Sequence, residues 1–176
     1  MRVRRVVTGH DEKGRSVFAS DTEEEPVTIS HFPGSAFHRL WGADKAPTFP
    51  DSGAPTPQPN YFPPVGGFRF GLFTLPPANT PLPADFDLAA GMAEMEEKLP
   101  GMASHMEPAD PGMHTTDTID YEIVLSGEVV LELDDGAETV LHPGDTVIQN
   151  GTRHRWHNRG AEPAVLAVVL IGAHRE

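Results

Sequence analysis

Residues 112–158 read GMHTTDTIDYEIVLSGEVVLELDDGAETVLHPGDTVIQNGTRHRWHN, and this stretch decides the fold. Tyr121 to Leu125 is an apolar, β-branched run closed by Ser126-Gly127. Beyond it Val129, Leu131 and Leu133 alternate with Glu128, Val130 and Glu132, the two-residue period of a strand with one apolar and one mainly polar face. Asp134-Asp135-Gly136 supplies a hairpin turn, because Asp-Gly tolerates the positive φ angles that such turns require. Ala137 to Leu141, Thr146 to Gln149 and His154 to Asn158 are further short strands, set apart by His142-Pro143-Gly144-Asp145 and Asn150-Gly151. Strands this short, separated by turns this evenly spaced, predict an antiparallel sandwich or barrel.

Working outward, Ala164 to Ile171 is nearly continuous apolar sequence, as expected of a strand packed on both faces. Toward the N-terminus the strand candidates are Val3 to Val7, Ser16 to Ala19, Val27 to Ser30, Phe37 to Trp41 and Gly67 to Leu75; they extend the barrel or pair with a second subunit. Seven prolines between Ala46 and Gly66 bar a helix or central strand there, leaving an ordered excursion or a mobile flap. One helix is expected. Leu88, Met92, Met95 and Leu99 recur at helical spacing, Asp85 or Asp87 caps the start, and Pro100-Gly101 ends it. That methionine stripe reads as a packing face before a binding groove.

The 176 residues suffice for one domain, 1–176, with N-terminal strands, proline-rich loop and helix in 1–100 and the core barrel in 101–173. A net charge of -13 disfavours nucleic acid and anionic membranes as partners. The absence of cysteine removes thiolate chemistry and disulfides, so that any metal would sit on imidazole, carboxylate or other oxygen, and a reducing cytoplasm is the expected compartment. No secretory signal or membrane-spanning run is read.

Three ligand-type side chains, His114, Asp120 and His154, fall at strand ends that a closing barrel can bring together. Two imidazoles and one carboxylate leave open positions on an ion, an arrangement suited to non-haem iron and compatible with zinc, manganese or nickel. Alternatively, the histidines are hydrogen-bonded barrel residues with no ion. In that case Asp120 needs a raised pKa or a donor such as Arg153, Arg155 or Tyr121. Glu122 shares the face of Asp120, either as a general acid or base in the cavity or as a strand residue at a wet mouth. Trp156 faces with His154, and Gln149 turns its amide to the cavity or to neighbouring backbone. Asp117 is read as a surface turn residue, and His10, His31, His38, His105, His142, His157 and His174 as structural or exposed.

The same stretch resembles the paired motifs of the cupin superfamily. In the first motif His114 and Gly127 match, Thr116 stands where a second His is usual, and Asp120 replaces Glu. In the second, Pro143-Gly144-Asp145, Gly151, His154 and Asn158 match, while Gln149 stands where Pro is usual. Sixteen residues, Glu128 to Pro143, separate the motif glycines, as in small bacterial cupins. The resemblance implies a jelly-roll barrel (a double-stranded β-helix), here with an N-terminal β extension and one short helix. It further implies one divalent metal held by His114, Asp120 and His154, a homodimer, and a small-molecule substrate, with Thr116, Gln149 and Trp156 lining the pocket. Activities in such barrels include isomerases, dehydratases, cyclases, decarboxylases and dioxygenases, and also non-catalytic binders or sensors. Fold alone does not choose among them.

Overall fold

The computed structural model describes all residues, 1–176, as ten strands and one α-helix. A hairpin of β1 (Val3–His10) and β2 (Ser16–Glu24) leads into β3 (Ala36–Ala43) and β4 (Phe68–Leu75). Helix α1 (Leu88–Lys98) follows, and then β5 (Thr118–Ser126), β6 (Val129–Glu132), β7 (Glu138–Leu141), β8 (Thr146–Asn150), β9 (Arg155–His157) and β10 (Ala164–Gly172). Two antiparallel sheets form the barrel, one of five strands in the order β3-β4-β10-β5-β8 and one of three in the order β7-β6-β9. These are the two walls of a jelly roll. Both β3 and β4 belong to the larger sheet, with β4 paired along the whole of β10 from Ala164↔Leu75 to Ile171↔Phe68.

The expected turns carry the expected chemistry. Asp135 and Gly136 lie at φ 57° and 71°, the left-handed region that a tight hairpin between β6 and β7 demands. At Gly127, φ 76°, an added Cβ would lie 2.8 Å from that of Ala164, so this turn excludes side chains on two counts. Asp87, not Asp85, caps α1, accepting hydrogen bonds from the backbone N–H groups of Ala89 and Ala90.

Two expectations need correction. Val27 to Ser30 forms no strand: Val27 makes a single bridge to Phe37, and Ser30 is instead tied to the Glu94 carboxylate of α1. Leu88 does not join the packing stripe, being 53% exposed, because α1 turns Gly91, Met95 and the following Leu99 inward, with Gly91 against His31 and Phe32. Of the two alternatives for the proline-rich segment, the ordered excursion is the one observed. Arg39 donates to Gln58 O, Arg69 to Asn60 O, Thr56 to Gly42 O and the Tyr61 N–H to Pro100 O.

Two apolar clusters leave a space between them. Val124, Val129, Leu131, Leu141, Ala164 and Leu166 fill one end of the barrel, joining the two sheets. Phe37, Leu99 and Met102, with Tyr61, Phe62, Phe73, Met95 and Met106, pin the helix and the proline-rich segment over the other.

The outer face of the larger sheet is unusual for an antiparallel sheet, whose solvent side is ordinarily polar. Register places Trp41, Phe70, Val169, Tyr121 and Ile148 in one row across all five strands. Leu72, Ala167, Ile123 and Thr146 flank it on one side, and Phe68, Ile171, Ile119 and Asn150 on the other. His38 extends the first flanking row on β3, and the only charges against the face are at that edge, where the Arg5 guanidinium of the β1–β2 hairpin, paired with Glu24, lies 5.8 Å over the Trp41 ring.

Candidate functional site

The space between the two clusters is a cavity of about 270 Å³. One wall is the inward face of β5. Because side chains alternate along a strand, Asp120 and Glu122 share this face while Tyr121 points away and is 45% exposed. Facing them, His114 and His154 exchange backbone hydrogen bonds of 3.0 Å, and their ring centroids are 4.2 Å apart. Thr116 and Trp156 complete the polar side, the indole meeting the His154 ring edge-on at 6.2 Å. The rest is mostly apolar: aliphatic side chains of β4 and β10, and an aromatic and thioether wall of Phe32, Phe37, Tyr61, Phe62, Phe73, Met95, Met102 and Met106.

Hydrogen bonding fixes which imidazole nitrogen is free. His114 Nδ1 lies 3.0 Å from Gly112 O and His154 Nδ1 lies 2.9 Å from Thr152 O. A carbonyl oxygen only accepts, so each Nδ1 carries the proton and each neutral ring keeps an Nε2 lone pair. Backbone carbonyls thus orient both imidazoles as metal-binding sites require. Asp120 Oδ1 and Glu122 Oε2 are buried without a hydrogen-bond partner, the condition of acceptors awaiting a cation or donor. The residues present therefore fit one divalent cation: two basic nitrogens and an unsatisfied carboxylate oxygen lining the same small cavity.

Burial sets the electrostatics. It pushes Asp120 up to about 6, with the Thr118 hydroxyl pulling partly back. Glu122 is pushed up to about 8, by burial first and then by the neighbouring Asp120. His154 falls to about 4 through burial and the adjacent His114, which is itself lowered by burial. None of the donors expected for Asp120 reaches it. Arg153 pairs with Glu107, Asp110 and Asp134, Arg155 with Glu132 and Asp110, and Tyr121 faces outward.

Gln149 is not among the lining residues. It is buried opposite Asp120 on β8, but its amide donates to the carbonyl and hydroxyl oxygens of Thr152, bracing the loop before His154. Asp117 lies on the surface, paired with Arg175. His105 donates from Nδ1 to Gly101 O and packs its ring 4.5 Å from Phe62, outside the cavity. His38, classed with the structural or exposed histidines, is buried at 3% exposure with neither ring nitrogen partnered.

The sequence reading passed over Tyr61, Phe62, Met102 and Met106. Their only signal was negative, an irregular, proline-rich stretch and a loop after a helix, and long ordered loops of this kind often carry function. The one trio of His, Asp or Glu whose ligand atoms all lie within 4.8 Å of one another is Glu132, Glu138 and His157, on the outer surface. This set is far less suited to an ion than its compactness suggests. Arg155 and His157 already engage Glu132, and Arg159 engages Glu138, so the carboxylates are neutralised by the protein. His114, Asp120 and His154 are spaced more openly than that trio.

Residues 104–170, which include His114, Asp120, Glu122, His154 and Trp156, match the family model of the Cupin domain. The chain belongs to the cupin superfamily. It is 28% identical over 174 residues to the cupin-domain-containing oxidoreductase fogC of Aspergillus ruber, covering 97% of this cupin and 72% of the relative. It is 51% identical over 47 residues to phomopsin biosynthesis cluster protein C' of Diaporthe leptostromiformis, covering 27% of this chain. That match spans only 25% of the relative's length. Among solved structures, a predicted oxalate decarboxylase from Thermotoga maritima aligns over 85% of this cupin and 93% of its own chain, with a TM-score of 0.46 and 17% identity. No helix is long and apolar enough to cross a membrane.

Proposed function

We propose that this cupin is a metal-dependent enzyme acting on a small organic molecule, with His114, Asp120 and His154 holding one divalent ion and Glu122 moving a proton. The observation that carries this reading is the pair of free Nε2 lone pairs and partnerless carboxyl oxygens on one side of an otherwise apolar cavity. A bound ion would supply Lewis acidity and open coordination positions. Against it, the chain's own residues exclude water through the aromatic and methionine wall and place the Glu122 carboxyl beside the substrate. Held to about 8 by burial, that carboxyl can give or take a proton near neutral pH. Isomerisation, dehydration, cyclisation, decarboxylation and dioxygenation all draw on this set. The oxidoreductase names of several relatives favour redox chemistry. The competing reading is a non-catalytic binder or sensor without a required metal. Metal content of protein purified without added metal, repeated on His154→Ala, decides between them. About one ion per chain, lost in the variant, is expected; metal-free wild type overturns the enzyme reading.

We further infer a homodimer formed through the outer face of the larger sheet. Five strands at about 4.8 Å spacing and about seven residues at about 3.3 Å rise give a face on the order of 500 Å² in projection. Side-chain relief brings this toward the roughly 800 Å² per partner of a stable interface. In a chain carrying 39 charged residues at a net -13, a mainly apolar face is where two copies meet with the least like-charge opposition. A symmetric sheet-on-sheet contact would bury Phe70, Tyr121 and Ile148, now 39%, 45% and 51% exposed.

A further inference from the structure

The charges around the cavity limit what it can hold. Its lining includes two carboxyl groups, Asp120 and Glu122, and neither lysine nor arginine. The two guanidiniums nearest on the same sheet, Arg39 and Arg69, turn into a neighbouring pocket. They spend their donors on Asp44 and on the carbonyls of Ala43, Gln58, Asn60 and Phe68. Whatever ion is bound, the lining offers no lysine or arginine to form a charge-assisted pair with a substrate carboxylate. The opposite wall is shaped for a flat apolar body. Phe37 stacks on Phe73 with centroids 4.9 Å apart at 23°, and Met95, Met102 and Met106 provide the soft, polarisable contacts that sulfur makes with ring edges. The volume of about 270 Å³ lies just below the usual range for drug-sized ligands.

From these features, and resting on the enzyme reading above, we infer that the ligand is an uncharged aromatic molecule of one or two rings with a hydroxyl group, a hydrogen-bond donor, at one end. Its ring lies against Phe37, Phe73 and the methionines, and its oxygen meets the partnerless carboxyl oxygens on β5. Carboxylate substrates are disfavoured, because no cationic side chain lines this largely apolar space to pair with them.

Three probes of one shape test this by titration calorimetry on both metal-loaded and chelator-treated protein: 2-naphthol, naphthalene and 2-naphthoate. The expected result is 2-naphthol binding at least about tenfold tighter than either of the others, the worth of one well-made hydrogen bond. Glu122→Leu should erase the advantage of naphthol over naphthalene while naphthalene binding persists, which also shows that the variant is folded. Phe73→Ala should weaken all three. Tightest binding by 2-naphthoate, or binding by none of the three, overturns the assignment. Metal content lost in His154→Ala would leave the enzyme reading standing in either case, so the two can fail separately.

Discussion

The two faces of β5 are inverted relative to an ordinary antiparallel strand. Inward it presents Thr118, Asp120 and Glu122 before the apolar Val124; outward it presents Ile119, Tyr121, Ile123 and Leu125. Burying acids and exposing apolar side chains is costly on both counts unless each face has a partner that the isolated chain lacks. The contrast with the smaller sheet sharpens the point. Its outer face carries Glu132 paired with Arg155 and His157, and Glu138 paired with Arg159, the surface of a wall that meets water. On the reading proposed above, each face of this one strand has its own partner, a cation or polar ligand within and a second copy without.

The largest effect is expected outside. Ile148→Glu, which leaves the cavity untouched, should place two carboxylates in the symmetric interface and weaken dimerisation at least about a thousandfold, roughly 4 kcal/mol. Light scattering after size exclusion would report monomers at micromolar concentration. A wild-type protein already monomeric there would break the outer half of the comparison.

Inside, His154→Ala should abolish metal binding. With the wild type at about 100 to 1,000 times the dissociation constant for the ion, about 3–4 kcal/mol of linked stability should vanish with it. Thermal unfolding with and without added metal measures the loss. Equal metal-induced shifts in both proteins would remove His154 from the site.

How much of this was legible in the sequence follows from the range of each signal. Turn and strand chemistry is local, so the hairpin at Asp134–Gly136, the alternation in β6 and the cap of α1 could be read residue by residue. The shared face of Asp120 and Glu122 follows from parity alone, and the meeting of His114 with His154 needed only the motif spacing. The cavity's other wall was not legible. Tyr61, Phe62, Met102 and Met106 reach the site from loops whose path depends on tertiary contacts such as Tyr61 N–H to Pro100 O, which no periodicity encodes. Gln149 shows an ambiguity that only tertiary structure resolves. Cavity and neighbouring backbone were equally open to its amide, and the Thr152 carbonyl three residues away takes it, so the pocket-lining role implied by the resemblance fails. The unbroken apolar row across the larger sheet also escaped notice, since each strand contributes only one residue to it and the row exists only once register is set.

The smaller effects separate cavity from surface. In metal-free protein, Glu122 keeps its proton to about pH 8 in the folded state but loses it near 4.5 when unfolded. Between those values the folded state binds the extra proton, so stability falls as pH rises. Asp120 and His154 contribute with opposite signs, but only below about 6 and 6.5 respectively. From pH 6.5 to 8, then, Glu122 is the cavity group still titrating, and it should cost about 2 kcal/mol, read as a falling denaturation midpoint that Glu122→Gln flattens. Glu138→Gln should do least of all. Its partner Arg159 is about half exposed, so solvent screens the ion pair, and stability, metal content and the pH slope should all stay as in the wild type. Were metal to leave with Glu138 instead of His154, the compact surface trio would be the true ion site. The buried acids of β5 would then have to find their donor in the ligand alone.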